Sequence, residues 1–354
     1  MSSETKEPAV EGAAAAGRTH VAVIGAGPVG LFTVFQCGML GMDCQVIDVL
    51  DHLGGQCSAL YPEKPIYDIP GLPRASGQEL VDRLIEQAEP FRPVYHLDQQ
   101  VTELQRLDEG DWRLMTAAGT VVTAPVVIIA AGVGAFAPKR PPLKDIEAYE
   151  GGAEGGGVHY AVRDRAAYAG KRVVIAGGGD SAVDWAIVLA DVAGSVHVVH
   201  RRGKFRAAPE SVSRLHDLAE AGRIELVVPA QLRGLEGEAG RLTAVLAGDG
   251  GEAKRLEADV LLPFYGLAQS LGPIGAWGLG LDRNRISTEP TTAETNLPGV
   301  FAVGDIAHYP NKLKLILTGF SEAAFAAHAA HQLAFPGKAL HFEYSTTKGL
   351  PGSG

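Results

Sequence analysis

The sequence contains no Cys-x-x-C pair, and cysteine is rare throughout its 354 residues. The three cysteines present are Cys37, Cys44 and Cys57. An odd number of unpaired cysteines indicates a reducing compartment and excludes a zinc site or a redox disulfide of the Cys-x-x-C type. We expect each thiol to serve as a small buried hydrophobe.

Long apolar runs are also missing. The buried-type run at 126–131 is far shorter than the roughly 20 residues that span a bilayer. Residues 1–17 mix glutamates with an alanine run and lack the basic start and apolar core of a signal peptide, which predicts a disordered N-terminal tail. We therefore expect a cytoplasmic protein with no membrane association.

Aromatic residues make up only 6% of the chain, and the formal net charge is −10. Both values argue against a nucleic-acid partner, which needs stacking side chains and a basic surface. The eleven histidines show no metal-ligand spacing, so no metal site is predicted. One local basic cluster stands out, formed by Arg201, Arg202, Lys204 and Arg206.

Glycine is abundant, and it forms two fingerprints of the GxGxxG type. The first contains Gly25, Gly27, Pro28 and Gly30 between two apolar runs. Such glycines permit a tight turn, close approach of the backbone to a pyrophosphate and close packing of helix on strand, so that the phosphates lie at the helix N-terminus. Asp48 ends the second apolar run and is expected to accept hydrogen bonds from a ribose.

The second fingerprint follows the apolar run at 172–176 and ends with Ala182 in the last position. Its members are Gly177, Gly178, Gly179, Asp180 and Ser181. Arg201 and Arg202 stand where the first unit has a carboxylate, and guanidinium groups suit a 2′-phosphate, which favours NADP(H) over NAD(H). We expect Asp180 and Ser181 to cap the helix and touch the pyrophosphate.

The length and the two fingerprints predict an α/β protein with two Rossmann-like domains, the second inserted into the first. We predict a helix over 77–89 and strands over 100–107, 112–116, 121–123 and 126–131. The proline-bearing stretch 134–143 marks the crossing into the second domain. The strand at 297–303 marks the return, and a helix over 321–333 follows.

These features, with the segment 295–305, occur in the order found in flavoproteins such as thioredoxin reductase. The run His200 to Arg206 strengthens the resemblance, but residues 158–164 lack the Cys-x-x-C pair of that family. Over nearly the whole chain the sequence resembles the thioredoxin-reductase-like class of ferredoxin–NADP reductase. The matching stretches are 54–56, 59–64, 67–68, 177–185, 200–206, 270–274 and 344–346.

The resemblance implies FAD as the only prosthetic group and assigns roles by position. It implies an FAD domain at 18–136 and 289–342, an NADPH domain at 137–288, and an extension over the flavin at 343–354. Gly25, Gly27, Pro28, Gly30, Asp48, Gln56, Tyr61, Val101, Phe136, Asp305 and Thr346 would contact FAD, with Tyr61 and Tyr344 stacked on its two faces. Gly177, Gly178, Gly179, Asp180, Ser181, His200, Arg201, Arg202 and Arg206 would contact NADPH.

The implied reaction is hydride transfer from NADPH to FAD, followed by single-electron transfer to ferredoxin or flavodoxin. The cofactors supply this chemistry, so no acid–base residue is required. The resemblance also implies a homodimer. Three alternatives stay open: a thioredoxin-reductase-like enzyme with another acceptor, disfavoured by the missing Cys-x-x-C; a flavin monooxygenase, disfavoured because no F-x-G-x-x-x-H segment surrounds His159; and a non-catalytic redox sensor.

Overall fold

The computed structural model describes residues 15–150, 156–238, 240–340 and 349, and the chain divides into two compact units. Unit 1 comprises residues 1–135 and 269–354, and unit 2 comprises 136–268. The predicted boundary at residue 288 is too late. Leu271, Ile274 and Ile286 are buried in a core of unit 1, so the chain has already returned by Gln269.

A five-stranded parallel sheet forms the centre of unit 1. Its inner strands consist of consecutive buried apolar residues, as is typical of parallel strands covered on both faces. The strands are β2 (Val21–Ile24), β3 (Cys44–Ile47), β6 (Val94–His96), β10 (Val126–Ile129) and β22 (Val300–Ala302). Their order across the sheet is β22-β10-β2-β3-β6.

Helices cover one face of this sheet. They are α1 (Pro28–Met39), α3 (Gly77–Ala88) and α6 (Ile316–Ala334), with the short α2 (Gly55–Ala59) following β3. Ser76 and Glu79 form a capping box that starts α3, close to the predicted position. The helix predicted from residue 321 begins earlier, at Ile316, because its first turn is apolar and follows the extended residue Leu315 rather than a polar cap.

The other face of the parallel sheet packs against a second sheet. Its strands are β1 (Ala15–Arg18), β7 (Val101–Arg106), β8 (Trp112–Thr116) and β9 (Val121–Ala124). The last three are antiparallel, and β1 pairs parallel with β9. Because residues 15–18 pair with β9, the predicted tail of 17 residues is too long. Short strands complete the unit: β4 (Pro65–Ile66), β5 (Ala75–Ser76), β20 (Leu281–Asp282), β21 (Arg285–Ser287) and β23 (Ala307–His308).

Unit 2, like unit 1, has three layers: helices, a parallel sheet and an antiparallel sheet. Its parallel strands are β12 (Arg172–Ala176), β13 (Ser195–Val199), β14 (Glu225–Val227) and β18 (Val260–Pro263), in the order β14-β13-β12-β18. Two helices, α4 (Asp180–Leu189) and α5 (Pro209–Glu220), cover one face of this sheet. The other face is covered by the antiparallel strands β15 (Gln231–Glu238), β16 (Arg241–Gly248) and β17 (Lys254–Glu257).

The chain passes between the units in two strands, β11 (Ala135–Pro138) and β19 (Leu267–Ser270). Cys37, Cys44 and Cys57 are buried free thiols, as the sequence predicted. Among the helices of the described ranges, none combines the length and apolarity that a membrane crossing needs.

Candidate functional site

The first glycine loop connects β2 to α1 at the carboxyl edge of the parallel sheet of unit 1. Gly25 has φ +106°, and a Cβ atom there would lie 2.5 Å from the carbonyl oxygen of Ala130. A Cβ atom on Gly30 would clash with the carbonyl of Gly25. Around Gly27, in contrast, the nearest atom to a Cβ is the Cα of Gly55 at 3.9 Å. The loop therefore needs Gly25 and Gly30 for packing, while Gly27 leaves open space beside the helix N-terminus.

Asp48 lies at the end of β3 and is 9% exposed. Its Oδ2 accepts a hydrogen bond from the backbone N–H of Ala26 at 2.5 Å, and its Oδ1 accepts one from Leu50 at 2.8 Å. Burial raises the pKa of Asp48, and these two backbone donors offset part of the rise. The carboxylate thus fixes the glycine loop to the next strand and retains acceptor capacity for a ribose.

The segment after β3 returns to the same loop. Gly54 and Gly55 have positive φ, and a Cβ on Gly55 would lie 3.0 Å from the Cα of Gly27. Gln56 lies near Gly132 at the end of β10, where its Nε2 is 3.5 Å from the position of a Cβ on that glycine. The structure therefore brings Gln56 to the carboxyl edge of the sheet.

Tyr61 lies one turn beyond Cys57, and the Cys57 Sγ is 3.8 Å from its hydroxyl. Burial raises the pKa of Tyr61 far above its usual range and that of Cys57 to about 11, and the charge of Asp305 raises both further. Both groups are therefore protonated at neutral pH. Their sensitivity to Asp305 places them close to the turn that follows β22.

That turn, Gly304–Ile306, is called the Asp305 turn below. Its close neighbours are the first turns of α1 and α6. A Cβ on Gly319 would lie 2.5 Å from Cγ2 of Val29 and 3.2 Å from the Cα of Gly304. The first turns of α1 and α6 and the Asp305 turn therefore meet at one edge of the sheet.

This arrangement fits a dinucleotide. The open position at Gly27 admits a pyrophosphate to the N-terminus of α1, where backbone N–H groups and the helix dipole favour negative charge. Asp48 lies beside the loop, and the charge of Asp305 acts on the hydroxyl of Tyr61. The residues present thus fit the polarity of FAD.

The second glycine loop connects β12 to α4 in unit 2. Gly177 is confined by the carbonyl oxygen of Phe264 and the Cβ of Ala182, at 2.8 and 2.9 Å from a Cβ on the glycine. Gly179, the N-cap of α4, has no atom within 4 Å of the corresponding position among the described residues. Gly177, Gly179 and Ala182 therefore take the three fingerprint roles, and the open position again lies at the helix N-terminus.

Gly178 contacts the loop that carries the arginines. A Cβ there would clash with the imidazole of His200, whose ring stacks on Phe205 with centroids 5.3 Å apart. Gly178 is buried, and its carbonyl accepts a hydrogen bond from the backbone N–H of Arg206 at 2.7 Å. Gly178 and His200 thus fasten the basic loop 200–206 to the glycine loop.

The basic loop presents exposed guanidinium groups at the carboxyl edge of β13. Arg201, Arg202 and Arg206 are all exposed, next to the exposed Gly179 end of the glycine loop. Tyr265, which follows β18 at the same edge, is 38% exposed, and the charge of Arg201 acts on its hydroxyl. These groups leave room for a phosphorylated ribose and fit NADPH.

Asp180 does not cap α4 as predicted. The N-cap is Gly179, and the Asp180 carboxylate instead accepts a hydrogen bond at 3.0 Å from the backbone N–H of Ala208, which precedes α5. The segment that follows the basic loop brings the backbone N–H of Ala208 to this carboxylate. Ser181 is exposed in the first turn of α4.

Val101, Phe136, Tyr344 and Thr346 are the remaining predicted flavin-site residues. The side chain of Val101 is 5% exposed and packs in the apolar core, and its contact with FAD stays a prediction. Phe136 lies in β11, and its side chain, like all of Tyr344 and Thr346, is outside the described residues.

Sequence reasoning missed Val29, Gly319, Tyr265 and a buried pair, Lys312 and Glu322. Tyr265 had a usable signal, because it follows a strand beside the fingerprint strand. Glu322 stands among alanines in a helix whose buried face could be identified only from the fold.

Known proteins share this chain's sequence and fold. A model of the pyridine nucleotide-disulphide oxidoreductase family matches residues 19–332. A ferredoxin–NADP reductase of Paramagnetospirillum magneticum is 60% identical over 334 residues, covering 94% of this chain and 98% of the relative. A ferredoxin–NADP reductase of Rhodospirillum rubrum is 58% identical over 339 residues, covering 95% and 97%.

A solved structure shows the same fold. The thioredoxin reductase of Lactococcus lactis has a TM-score of 0.75 at 24% identity and covers 89% of this chain and 99% of its own. The predicted α/β fold with two Rossmann-like domains is thereby confirmed. The chain belongs to the pyridine nucleotide-disulphide oxidoreductase family and, within it, to the ferredoxin–NADP reductases of the thioredoxin-reductase-like class.

Proposed function

We propose that this protein is an NADPH-dependent flavoprotein reductase that delivers electrons to ferredoxin or flavodoxin. The main support for the proposal is a difference in charge between the two units. In each unit, charged side chains follow the second strand of the parallel sheet, and their charges have opposite signs. Unit 1 has the buried carboxylate of Asp48, and unit 2 has the exposed pair Arg201 and Arg202. A free ribose diol suits the first and a 2′-phosphate suits the second.

Unit 1 holds FAD. When bound, FAD accepts a hydride from NADPH and releases electrons one at a time to the acceptor. The N-terminus of α1 receives the pyrophosphate beside Gly27, and Asp48 orients the adenosine ribose. Asp305 holds the ribityl or phosphate portion, and Tyr61 stacks on one face of the ring system, where it excludes water.

Unit 2 holds NADPH. Gly179 admits the pyrophosphate to the N-terminus of α4, and Arg201 and Arg202 bind the 2′-phosphate through charge-assisted hydrogen bonds. Arg206 is held beside them by its backbone bond to Gly178. The ring of His200 packs between Gly178 and Phe205 and supports this loop.

The thiols favour an electron carrier over a disulfide as the acceptor. Cys57 is the cysteine influenced by Asp305, but it is 2% exposed and its pKa is raised to about 11. Cys37 and Cys44 lie in the apolar core. A protonated, buried thiol is a poor nucleophile for disulfide exchange, so a dithiol relay has no suitable residue among the three.

The proposal includes a cytoplasmic homodimer. The odd number of cysteines, all of them buried, supports a reducing compartment. Exposed apolar side chains along α6 and the loop before it support self-association through unit 1. They are Leu313, Leu315, Leu317, Phe325 and Leu333.

An anaerobic stopped-flow experiment tests the reaction. Mixing the FAD-loaded protein with NADPH should bleach the flavin absorbance rapidly, and oxidised ferredoxin added in a second mix should restore it. Restoration by oxidised thioredoxin but not by ferredoxin would favour the disulfide-reductase alternative. Tight binding of both nucleotides without bleaching would favour a redox sensor.

A further inference from the structure

Unit 1 contains a buried ionic cluster behind the Asp305 turn that the proposed reaction does not use. The side chains of Lys312 and Glu322 are 2% and 3% exposed and form an ion pair. The same Glu322 oxygen, Oε1, also accepts a hydrogen bond from the hydroxyl of Tyr309 at 2.7 Å. The Lys312 ammonium lies 5.1 Å from the centre of the Tyr309 ring.

The second oxygen of Glu322 reaches the Asp305 turn directly. Its Oε2 accepts a hydrogen bond from the backbone N–H of Gly304 at 2.7 Å. Gly304 has φ +76° and packs against Val29, so this turn is held in a left-handed conformation at its first residue. One carboxylate therefore fixes both the start of the Asp305 turn and the loop that leads into α6.

The charge of Asp305 acts on Lys312. Burial lowers the pKa of Lys312, while Glu322 and Asp305 act in the opposite direction and Arg285 adds to the lowering. Buried ion pairs are costly to desolvate, and losing one partner leaves a charge without compensation. The cost of burying this ion pair therefore indicates a role beyond packing.

We propose that Glu322 and Lys312 are positioning residues that hold the Asp305 turn against α6 and balance each other's charge, so that the loss of either charge shifts the reduction potential of the flavin bound in unit 1. This inference rests on the proposed FAD site. Reduction adds negative charge to the flavin, so a nearby positive charge favours the reduced form and a nearby negative charge opposes it. The balanced pair keeps both influences small while its hydrogen bonds fix the turn.

Charge-changing variants test the electrostatic part. In FAD-loaded protein, Glu322→Gln should make the potential more positive because the Lys312 charge is no longer balanced. Lys312→Met should make it more negative, and the double variant should return it toward the wild-type value. Glu86→Gln, an exposed glutamate on α3, is the matched control and should leave the potential unchanged.

Amide exchange and FAD affinity test the positional part. Glu322→Ala removes the acceptor of the Gly304 N–H, so exchange in the peptide containing residues 304–306 should accelerate, and the FAD dissociation constant should rise at least about tenfold. Glu322→Gln keeps an acceptor and should change both much less.

The outcomes separate this inference from the proposed function. Unchanged potentials, or shifts of the same sign in Glu322→Gln and Lys312→Met, would overturn the electrostatic role in a protein that still holds FAD. Wild-type protein that binds no FAD would instead overturn the proposed site itself.

Discussion

At the scale of single residues, nucleotide choice depends on the side chains at the carboxyl end of the second parallel strand of each unit. Asp48 is buried and held by two backbone donors, so its orientation is fixed before any ligand binds. Arg201 and Arg202 are exposed, and their loop is held by the backbone hydrogen bond from Arg206 to Gly178. The pair can therefore be replaced with little effect on the fold.

Replacing both arginines should remove the preference for NADPH. In Arg201→Gln/Arg202→Gln, we expect kcat/KM for NADPH to fall at least about a hundredfold, since each of the two charge-assisted hydrogen bonds contributes roughly 1.5–3 kcal/mol, while NADH is nearly unaffected. Steady-state kinetics with both cofactors measures this, and Arg233→Gln in the antiparallel sheet is the control. An equal loss for NADPH and NADH would contradict the role in 2′-phosphate binding.

His200 should titrate below its ordinary pKa of 6.5. Burial lowers the pKa, the charges of Arg201 and Arg206 lower it further, and a backbone hydrogen bond to Lys204 opposes them. Because the folded pKa is below the unfolded one, the unfolded chain binds more protons in this range. Stability is therefore lost as the pH falls from 6.5 through the lowered pKa.

Ring-proton NMR titration of His200 measures this shift. Arg201→Gln should move its pKa upward, whereas Arg214→Gln on α5 should not. A pKa at or above 6.5 in the wild-type protein would show that the ring is not buried beneath the glycine loop.

At the scale of elements, a single added methyl group in either glycine loop should weaken the binding of one nucleotide and not of the other. Gly27 and Gly179 have negative φ and open Cβ positions, so alanine at either site should fold normally. Gly27→Ala should weaken FAD binding at least about tenfold and spare NADPH, and Gly179→Ala should do the reverse, because each methyl occupies the space of one pyrophosphate.

Isothermal titration of FAD and NADP⁺ with each variant measures both affinities. Gly30→Ala is the contrasting control: it should impair folding, because its Cβ meets the carbonyl of Gly25. Weakened binding of the same nucleotide by Gly27→Ala and Gly179→Ala would contradict the assignment of one nucleotide to each loop.

The sequence predicted these loops well, because their glycines have local steric causes. The same holds for β7, β8 and α3, whose alternation and capping box are visible in the chain. Prediction from the sequence failed where tertiary contacts determine the local structure. The apolar start of α6, the turn of Asp180 toward Ala208 and the ion pair of Glu322 depend on neighbours distant in sequence.

At the scale of the whole molecule, the two units have separate apolar cores, and each should respond to its own nucleotide. NADP⁺ at about 100 times its dissociation constant should slow exchange through unfolding of unit 2 by up to about a hundredfold, or roughly 2.7 kcal/mol. Hydrogen exchange of β12 and β13 should show this, with β2 and β3 little changed. Equal protection of both sheets would contradict separate sites.

We propose that electrons from NADPH leave this flavoprotein through a ferredoxin-type carrier. The most direct test is NADPH-driven reduction of cytochrome c by the purified, FAD-loaded protein, with and without added ferredoxin. We expect slow reduction of cytochrome c without ferredoxin and strong, saturable stimulation when ferredoxin is added. Rapid oxidation of NADPH with no stimulation by ferredoxin or flavodoxin would contradict it.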